Sequence, residues 1–406
     1  MTENPSEKMQ MEASVRISDA NCGRCMICPS VCPFDAISFE EKAGEVKLNI
    51  EKCQVCGICS SACPASAIET IYYNADSLLS YVRKTVHKTG SDKLLLTCRG
   101  TGSSEKVTAD ELDKRHFDNF VSVILPCVGR VPPEFLFKAL ASGIDKLAIM
   151  PCEDKYCRFK DGSMIGTRRL VLVQSLLSEL GFKPDTLTIT KRSIKAHIDS
   201  DRCIGCGNCH YVCPYSAIKM EASKVPQLDL KSCSGCGACV AVCPALAIKL
   251  DGFEYETISQ QIRNYRSLIP RMRQKNKKPV ILVLGCHWSE FSNLDLPRKT
   301  AVKNVVFEGL PCAGRVDTLH ILEAFHLGFD GVLVAACKKD ECKLEKGNEE
   351  AEQRIASLKK LLAEVNLGER LEMCFVSPKS AGDLDGHVKS FMEKIDSSSM
   401  RGAIKE

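Results

Sequence analysis

With 406 residues, 44% hydrophobic and 26% charged, the chain has the composition of a soluble globular protein of several domains. The segment Met1–Lys8 is polar and no apolar run is long enough to span a bilayer, so neither a secretory signal nor a membrane span is expected, and a cytoplasmic protein is. The formal charge of +4 gives no support to nucleic-acid binding, because the longest basic stretch is only Arg271–Lys278 and cysteine-bound clusters would add negative charge.

Residues 1–14 carry little apolar content and are expected to form a mobile tail. Between 15 and 75 lie two runs, C-G-R-C-M-I-C-P-S-V-C-P at Cys22–Pro33 and C-Q-V-C-G-I-C-S-S-A-C-P at Cys53–Pro64. In C-x2-C-x2-C-x3-C-P, three close thiolates wrap one [4Fe–4S] cluster while the fourth, before proline, serves the other cluster. The ligands therefore cross: Cys22, Cys25, Cys28 and Cys63 form one set, and Cys53, Cys56, Cys59 and Cys32 the second. Structural zinc sites are usually built from two C-x2-C pairs, and disulfide frameworks belong to short secreted chains, so neither fits this spacing. The alternation in Ala36–Phe39 and Glu45–Ile50 predicts a hairpin between the runs. A module this small has little core without its clusters.

A linker helix at 76–92 leads into a different grammar over 93–192. Apolar runs each end at a cysteine: Lys93–Thr97 before Cys98, Val121–Leu125 before Pro126-Cys127, and Lys146–Met150 before Pro151-Cys152. Helical stretches at Pro133–Ala141 and Met164–Leu180 alternate with them, the pattern of a parallel α/β sheet. Ligands of such sheets bind beyond the carboxyl ends of the strands, where Cys98, Cys127 and Cys152 fall and to which Cys157 can return.

The pattern then repeats. A second ferredoxin-like module at 196–252 supplies Cys203, Cys206, Cys209 and Cys243 as one crossed set and Cys233, Cys236, Cys239 and Cys213 as the other. A helix at Thr257–Leu268 and a basic linker occupy 253–279. A second α/β domain at 280–395 has Val280–Leu284 before Gly285-Cys286, Val305–Leu310 before Pro311-Cys312, and Gly331–Ala336 before Cys337, with Cys342 five residues on. Helices are expected at Arg315–His326 and Gly347–Val365, a last strand at Leu371–Val376, and a mobile tail at 396–406. Pro-Cys-x-Gly-Arg-Val stands at Pro126–Val131 and again at Pro311–Val316. The fold class is thus α+β ferredoxin modules alternating with α/β parallel-sheet domains, in tandem duplication. Of the 25 cysteines only Cys374 is left over, in a strand pattern that suits a buried structural thiol.

Four cysteines converging at a sheet edge could hold a [2Fe–2S] cluster, a [4Fe–4S] cluster or zinc, or act as redox thiols. Adjacency to a ferredoxin module and the lack of paired C-x2-C knuckles favour iron–sulfur. His287 does not make a Rieske site, since such a site needs two histidines and the first copy has Arg99 at that position. His210 reads as a surface residue, and Trp288 as packing beside the site.

Pro311–Val316, the strand Gly331–Cys337, Cys342 and the Gly347-Asn348 helix start make the α/β domains resemble the methyl-viologen-reducing hydrogenase delta subunit family. The first copy has Asp161-Gly162-Ser163 at the helix start, and Thr101 and Ser289 stand where the family has the second cysteine of a C-x2-C pair. The resemblance implies a [2Fe–2S] cluster on Cys98, Cys127, Cys152 and Cys157 and another on Cys286, Cys312, Cys337 and Cys342. It also implies an electron carrier with two kinds of partner: a flavin-bearing heterodisulfide-reductase-A-like subunit, and a hydrogenase, formate dehydrogenase or other oxidoreductase subunit. The domain at 280–395, the closer match, is expected to present a partner contact. With four [4Fe–4S] clusters this makes six centres. The chain lacks G-x-G-x-x-G, so no flavin or nicotinamide site is expected, and it lacks a Cys-Cys pair, so substrate chemistry is expected to lie elsewhere. A thiol/disulfide reductase and a zinc-stabilised scaffold are the competing readings.

Overall fold

The computed structural model describes residues 12–101, 120–220, 225–290 and 302–397. Two four-stranded parallel sheets dominate it, one per half. In the first, Lys93–Cys98 lies between Phe120–Leu125 and Lys146–Met150, and Leu187–Ile189 completes the far edge. In the second, Ile281–Cys286 lies between Val305–Leu310 and Gly331–Cys337, with Leu371–Val376 beyond. Both central strands are buried along most of their length, which is why Leu94-Leu95-Leu96 and Ile281–Leu284 read as unbroken apolar runs rather than as an alternation.

The strand order places a topological switch beside the first strand of each sheet, because the chain crosses to one side of it for the second strand and to the other for the third. Switch points open a crevice at the carboxyl ends of the strands. Three of the strands run one or two residues further than expected at their carboxyl ends and so carry Cys98, Cys286 and Cys337.

Each ferredoxin-like module is a pair of small antiparallel ribbons with two one-turn helices. In the first, Val15–Ile17 pairs with Ile68–Thr70, and Ile37–Glu40 with Glu45–Leu48, the expected hairpin. In the second, Ala196–Ile198 pairs with Ile248–Leu250 and Ile218–Lys219 with Gln227–Leu228. The first module's core consists of a few residues such as Val15, Ile37, Val46 and Ile68 around Cys28 and Cys53.

Some elements depart from expectation. The basic stretch expected as a linker is helical over Leu268–Asn276, and Arg273 is anchored on Gly328 O and on both carboxylate oxygens of Asp330, each at 2.9 Å. Asp383–Ser397 is a full helix whose Leu384, Val388, Phe391, Met392 and Ile395 cover one face of the second sheet. Within the stretch expected as a tail, Glu12–Ala13 pairs with Ser380–Ala381, tying the start of the first half to the end of the second. Residues 1–11 and 398–406 of the two expected tails lie outside the described residues.

The halves interlock. The first module packs on its own α/β domain, where Ser61 Oγ donates to Gly129 O at 2.7 Å, and on the opposite one, where Lys379 Nζ donates to Glu51 O at 2.7 Å. The second module does the same: Arg315 Nε donates to Phe253 O at 3.1 Å within its own half, while Arg158 Nη2 donates to Ser234 O at 2.7 Å from the other half. One buried cluster at the centre joins Cys56, Cys127, Cys236, Cys286, Cys312 and Cys337 with Ile58, Phe159, Trp288 and Leu344.

Candidate metal centres

The residues around the module cysteines adopt a repeated backbone. Residues at the third and fifth positions of the first run take left-handed φ, at Arg24 (53°) and Met26 (62°), and those of the second run do so at Val55 (54°) and Gly57 (81°). In the second module these four positions are Gly205, Gly207, Gly235 and Gly237, all with φ between 68° and 80°. Such turns aim successive N–H groups inward, as an anion-binding nest does. Backbone amides reach sulfur directly: Val55 N to Cys53 Sγ at 3.4 Å, Ala36 N to Cys32 Sγ at 3.4 Å, Ala67 N to Cys63 Sγ at 3.3 Å and Ala247 N to Cys243 Sγ at 3.3 Å.

One pocket is lined by Cys22, Cys25, Cys28 and Cys63. A second is lined by Cys32, Cys53, Cys56 and Cys59, and a third by Cys203, Cys206, Cys209 and Cys243. Cys213, Cys233, Cys236 and Cys239 act on one another electrostatically as neighbours. The chain thus brings together the same four-cysteine groups that the crossed spacing predicts. Among the described residues no three His, Cys, Asp or Glu side chains are spaced around a single ion.

At the first sheet, Cys98, Cys127 and Cys152 are almost completely buried and Cys157 is half-buried. Val128 N donates to Cys98 Sγ at 3.2 Å, Gly129 N to Cys127 Sγ at 3.3 Å and Ser163 N to Cys157 Sγ at 3.3 Å. Gly162 lets the helix start close on this site, since a Cβ there would stand 2.9 Å from Cys127 Sγ. The second sheet repeats the arrangement: Trp288 N donates to Cys286 Sγ and Gly314 N to Cys312 Sγ, both at 3.4 Å, and Cys286 Sγ lies 3.4 Å from Cys337 Sγ. Ser163 and Asn348 do equivalent work, Ser163 Oγ bonding Cys152 O and Asn348 Nδ2 donating to Cys337 O at 3.1 Å. Thr101 and Ser289 turn inward on the strand end, donating to Cys98 O at 2.7 Å and Cys286 O at 2.8 Å.

The donor set suits a soft, multiply charged group. Burial pushes the Cys56 thiol up to about 12 and Cys28 up to about 11. Cys127 and Cys152 are pushed up as donors to Cys98, and Cys312 and Cys337 as donors to Cys286 and Cys342. Cys98 is correspondingly held down by Cys127 and Cys152. Alone, such a site keeps most of its protons; a thiophilic metal group displaces them and supplies the missing positive charge.

Burial sorts the six sets. Cys286, Cys312 and Cys337 are each 1% exposed, and at the second α/β site, expected to present a partner contact, Cys342 is the half-buried member. The surface is reached by Cys25 and Cys206, one in each of the sets Cys22/25/28/63 and Cys203/206/209/243. Sequence reasoning missed Arg130 and Arg315, which lie against Gly57 and Gly237 beside the inner module cysteines. The only available signal was the repeated Pro-Cys-x-Gly-Arg-Val.

The model of the methyl-viologen-reducing hydrogenase delta subunit family matches residues 94–205 and 281–397, more than half of the chain, and two models of a 4Fe-4S dicluster domain match residues 21–67 and 196–250. The A component of the ferredoxin/F420H2-dependent CoB-CoM heterodisulfide reductase of Methanosarcina acetivorans is 36% identical over 205 residues, 50% of this chain and 25% of that protein. The iron-sulfur D component of the F420-non-reducing vhu hydrogenase of Methanococcus maripaludis is 35% identical over 122 residues, 29% of this chain and 91% of that protein. The chain thus spans about a quarter of the length of the heterodisulfide reductase component it matches and nearly all of the hydrogenase component. Among the described residues no helix is long and apolar enough to cross a membrane.

Proposed function

This chain belongs to the methyl-viologen-reducing hydrogenase delta subunit family, and from that premise we propose that it is a multi-centre conductor of single electrons between the subunits of a heterodisulfide-reductase- or hydrogenase-type complex. The four module sets hold [4Fe–4S] clusters and the two α/β sets [2Fe–2S] clusters, which supply the redox chemistry when bound. The protein's own residues bury the sulfurs, aim amide N–H groups at them and exclude water. The observation that carries this reading is the gathering of four sets, those of Cys56, Cys127, Cys236 and Cys312, in one buried cluster, while the remaining two sets reach the surface at Cys25 and Cys206. A conductor needs this arrangement: contiguous internal centres and two ends open to other proteins.

The relatives' names, a heterodisulfide reductase A component and a hydrogenase iron-sulfur D component, support a setting in a multi-subunit complex. In this reading one end meets a flavin-bearing heterodisulfide-reductase-A-like subunit and the other a hydrogenase, formate dehydrogenase or other oxidoreductase subunit. Purification without oxygen, with iron and zinc measured per chain, tests the reading. About twenty iron atoms per chain and a brown protein are expected from four cubanes and two [2Fe–2S] clusters. Iron well below about eight per chain, or zinc in its place, would overturn it.

A further inference from the structure

Arg315 is completely buried, and its Nη1 and Nη2 have no hydrogen-bond partner among the described residues. Its Nε donates to Phe253 O at 3.1 Å, and its nearest carboxylate, Asp317 Oδ2, is 4.0 Å away. Its stem lies flat on Gly237, where a Cβ would meet Arg315 Cδ at 2.7 Å, so the cation is laid on the loop between Cys236 and Cys239. The other half repeats the device. Arg130 is 6% exposed and lies on Gly57, where a Cβ would meet its Nε at 2.9 Å, beside Cys56. Its Nη2 donates to Thr70 Oγ1 at 3.1 Å and to Tyr72 O at 3.0 Å.

A guanidinium withdrawn from water and left without acceptors is costly unless an anion faces it. Asp317 answers only part of the charge of Arg315, since it stands at the limit of ion-pair distance and its carboxyl is itself disfavoured as an anion by burial. The next negative charge acting on it is that of the sulfur set beside it, at Cys239, ahead of Glu254, which acts less strongly. A second cation flanks each inner set from the opposite half: Lys343 stands 5.8 Å from the centre of the Phe34 ring, and Arg158 is 6.0 Å from that of Tyr215. The outer sets differ: Arg24 and Arg202, next to them in sequence, are exposed, where water and salt screen their charge.

We propose that Arg130 and Arg315 are fixed counter-charges of the inner sets Cys32/53/56/59 and Cys213/233/236/239, favouring the added electron there over the outer sets. This rests on the reading of these sets as [4Fe–4S] sites. Each inner centre accepts one electron from a low-potential one-electron donor, and the buried cation stabilises the extra negative charge with no proton transferred. Arg130 and Arg315 are positioning residues, acting on the centre through the field and through the loop they cover.

The test is a potentiometric titration of the full chain with dithionite, followed by electron paramagnetic resonance, with iron counted in each sample. Arg315→Met should leave iron unchanged and disfavour reduction of one [4Fe–4S] component at least tenfold, a shift of about 59 mV for a one-electron couple. Arg315→Lys should recover most of the loss, which a purely structural role would not predict. Asp317→Asn keeps the helix cap that accepts from Leu319 N and removes a negative charge, so it should move the same component several-fold the opposite way. If Arg315→Met fails to load iron, the Asp317→Asn titration decides alone. Titrations superimposable on the unaltered protein's, at full iron, would overturn the proposal; an unaltered protein without iron would overturn the function reading instead.

Discussion

Trp288 lies against Gly100: a Cβ on Gly100 would stand 3.9 Å from the indole Cζ2, an ordinary contact, and only 2.8 Å from Cys152 Sγ. The two residues occupy equivalent places, each two positions after the first cysteine of its α/β site. The indole of one half thus packs beside the glycine of the other, and Phe159 closes the contact edge-on at 5.6 Å. The equivalent position therefore carries the smallest residue in one copy and the largest in the other, so the two sites are not identical.

Gly100→Ala should therefore damage the Cys152 site specifically. A methyl 2.8 Å from a sulfur has no flexible neighbour to displace, so loss of about two iron atoms per chain is expected, with the module clusters retained. Trp288 is the chain's single tryptophan, so its emission reports the same event without assignment. Unchanged iron and emission would show that the site has slack there.

Ligand crossing within the modules has its own test. Cys63 lines the cavity of Cys22, Cys25 and Cys28, although it follows Cys53, Cys56 and Cys59 in sequence. Cys63→Ser should perturb the outer cluster's spectrum and leave the inner one's intact. The reverse pattern would mean that each run holds its cluster alone.

Much of this was legible because metal ligation and parallel strands both write strong patterns. The spacing of the cysteine runs dictated the four-cysteine groups, and apolar runs ending in cysteine dictated the sheets, with Lys146–Met150, Val305–Leu310 and Leu371–Val376 found at the expected bounds. The helix Asp383–Ser397 was placed inside the domain at 280–395 but not assigned as an element, although Leu384, Val388, Phe391 and Ile395 repeat at helical spacing, and its last two residues were read as tail. What could not be read was the relation between the halves. Trp288 against Gly100, Arg158 on Ser234 and Lys379 on Glu51 are contacts of high sequence separation with no periodicity to announce them. For the same reason the packing of the second α/β site against residues of the first half, Ile58 and Phe159 among them, was not foreseen.

Cys374, the thiol outside every set, is 5% exposed in the last strand of the second sheet, and burial pushes it up to about 12. It is held as a neutral apolar group. Cys374→Ala should leave the iron content unchanged and cost about 1 kcal/mol for the lost packing. Loss of one cluster's iron would show that it is a ligand.

His320 introduces a pH dependence. Its Nε2–H donates to Tyr255 O at 3.1 Å and its ring stacks on that of Tyr255. Burial, helped by the charge of Arg315, lowers its pKa from 6.5 to about 3. The unfolded chain takes up a proton that the folded one refuses, so this contribution to stability is complete above 6.5 and is lost as pH falls toward 3. The slope is about 1.4 kcal/mol per pH unit. His320→Gln should therefore lose less Tm than the unaltered protein between about pH 7.5 and about pH 5.5, by a few degrees. Equal losses would mean that His320 is protonated in the folded protein.

The glycines of the cysteine runs separate backbone strain from crowding. Gly207 and Gly237 share a left-handed backbone, φ 80° and 78°, so alanine costs each about 1–2 kcal/mol on conformation alone. Their surroundings differ. A Cβ at Gly207 would meet only Tyr211 Cε2 at 3.6 Å, an ordinary contact with an exposed ring, whereas at Gly237 it would meet Arg315 Cδ at 2.7 Å and Leu250 Cδ2 at 2.8 Å. The first module shows the same division: Met26 stands at the outer position with φ 62°, while the inner position is Gly57, covered by Arg130. The outer loop thus tolerates a side chain and the inner one does not, because only the inner loop carries an arginine laid across it. Overpacking should add about 1–3 kcal/mol at Gly237. Gly207→Ala should retain its iron with a slightly lower Tm, and Gly237→Ala should shed the iron of the inner cluster and loosen the contact between module and sheet. Equal effects from the two substitutions would mean that φ alone sets the cost, and that Arg315 can move away from the loop it covers.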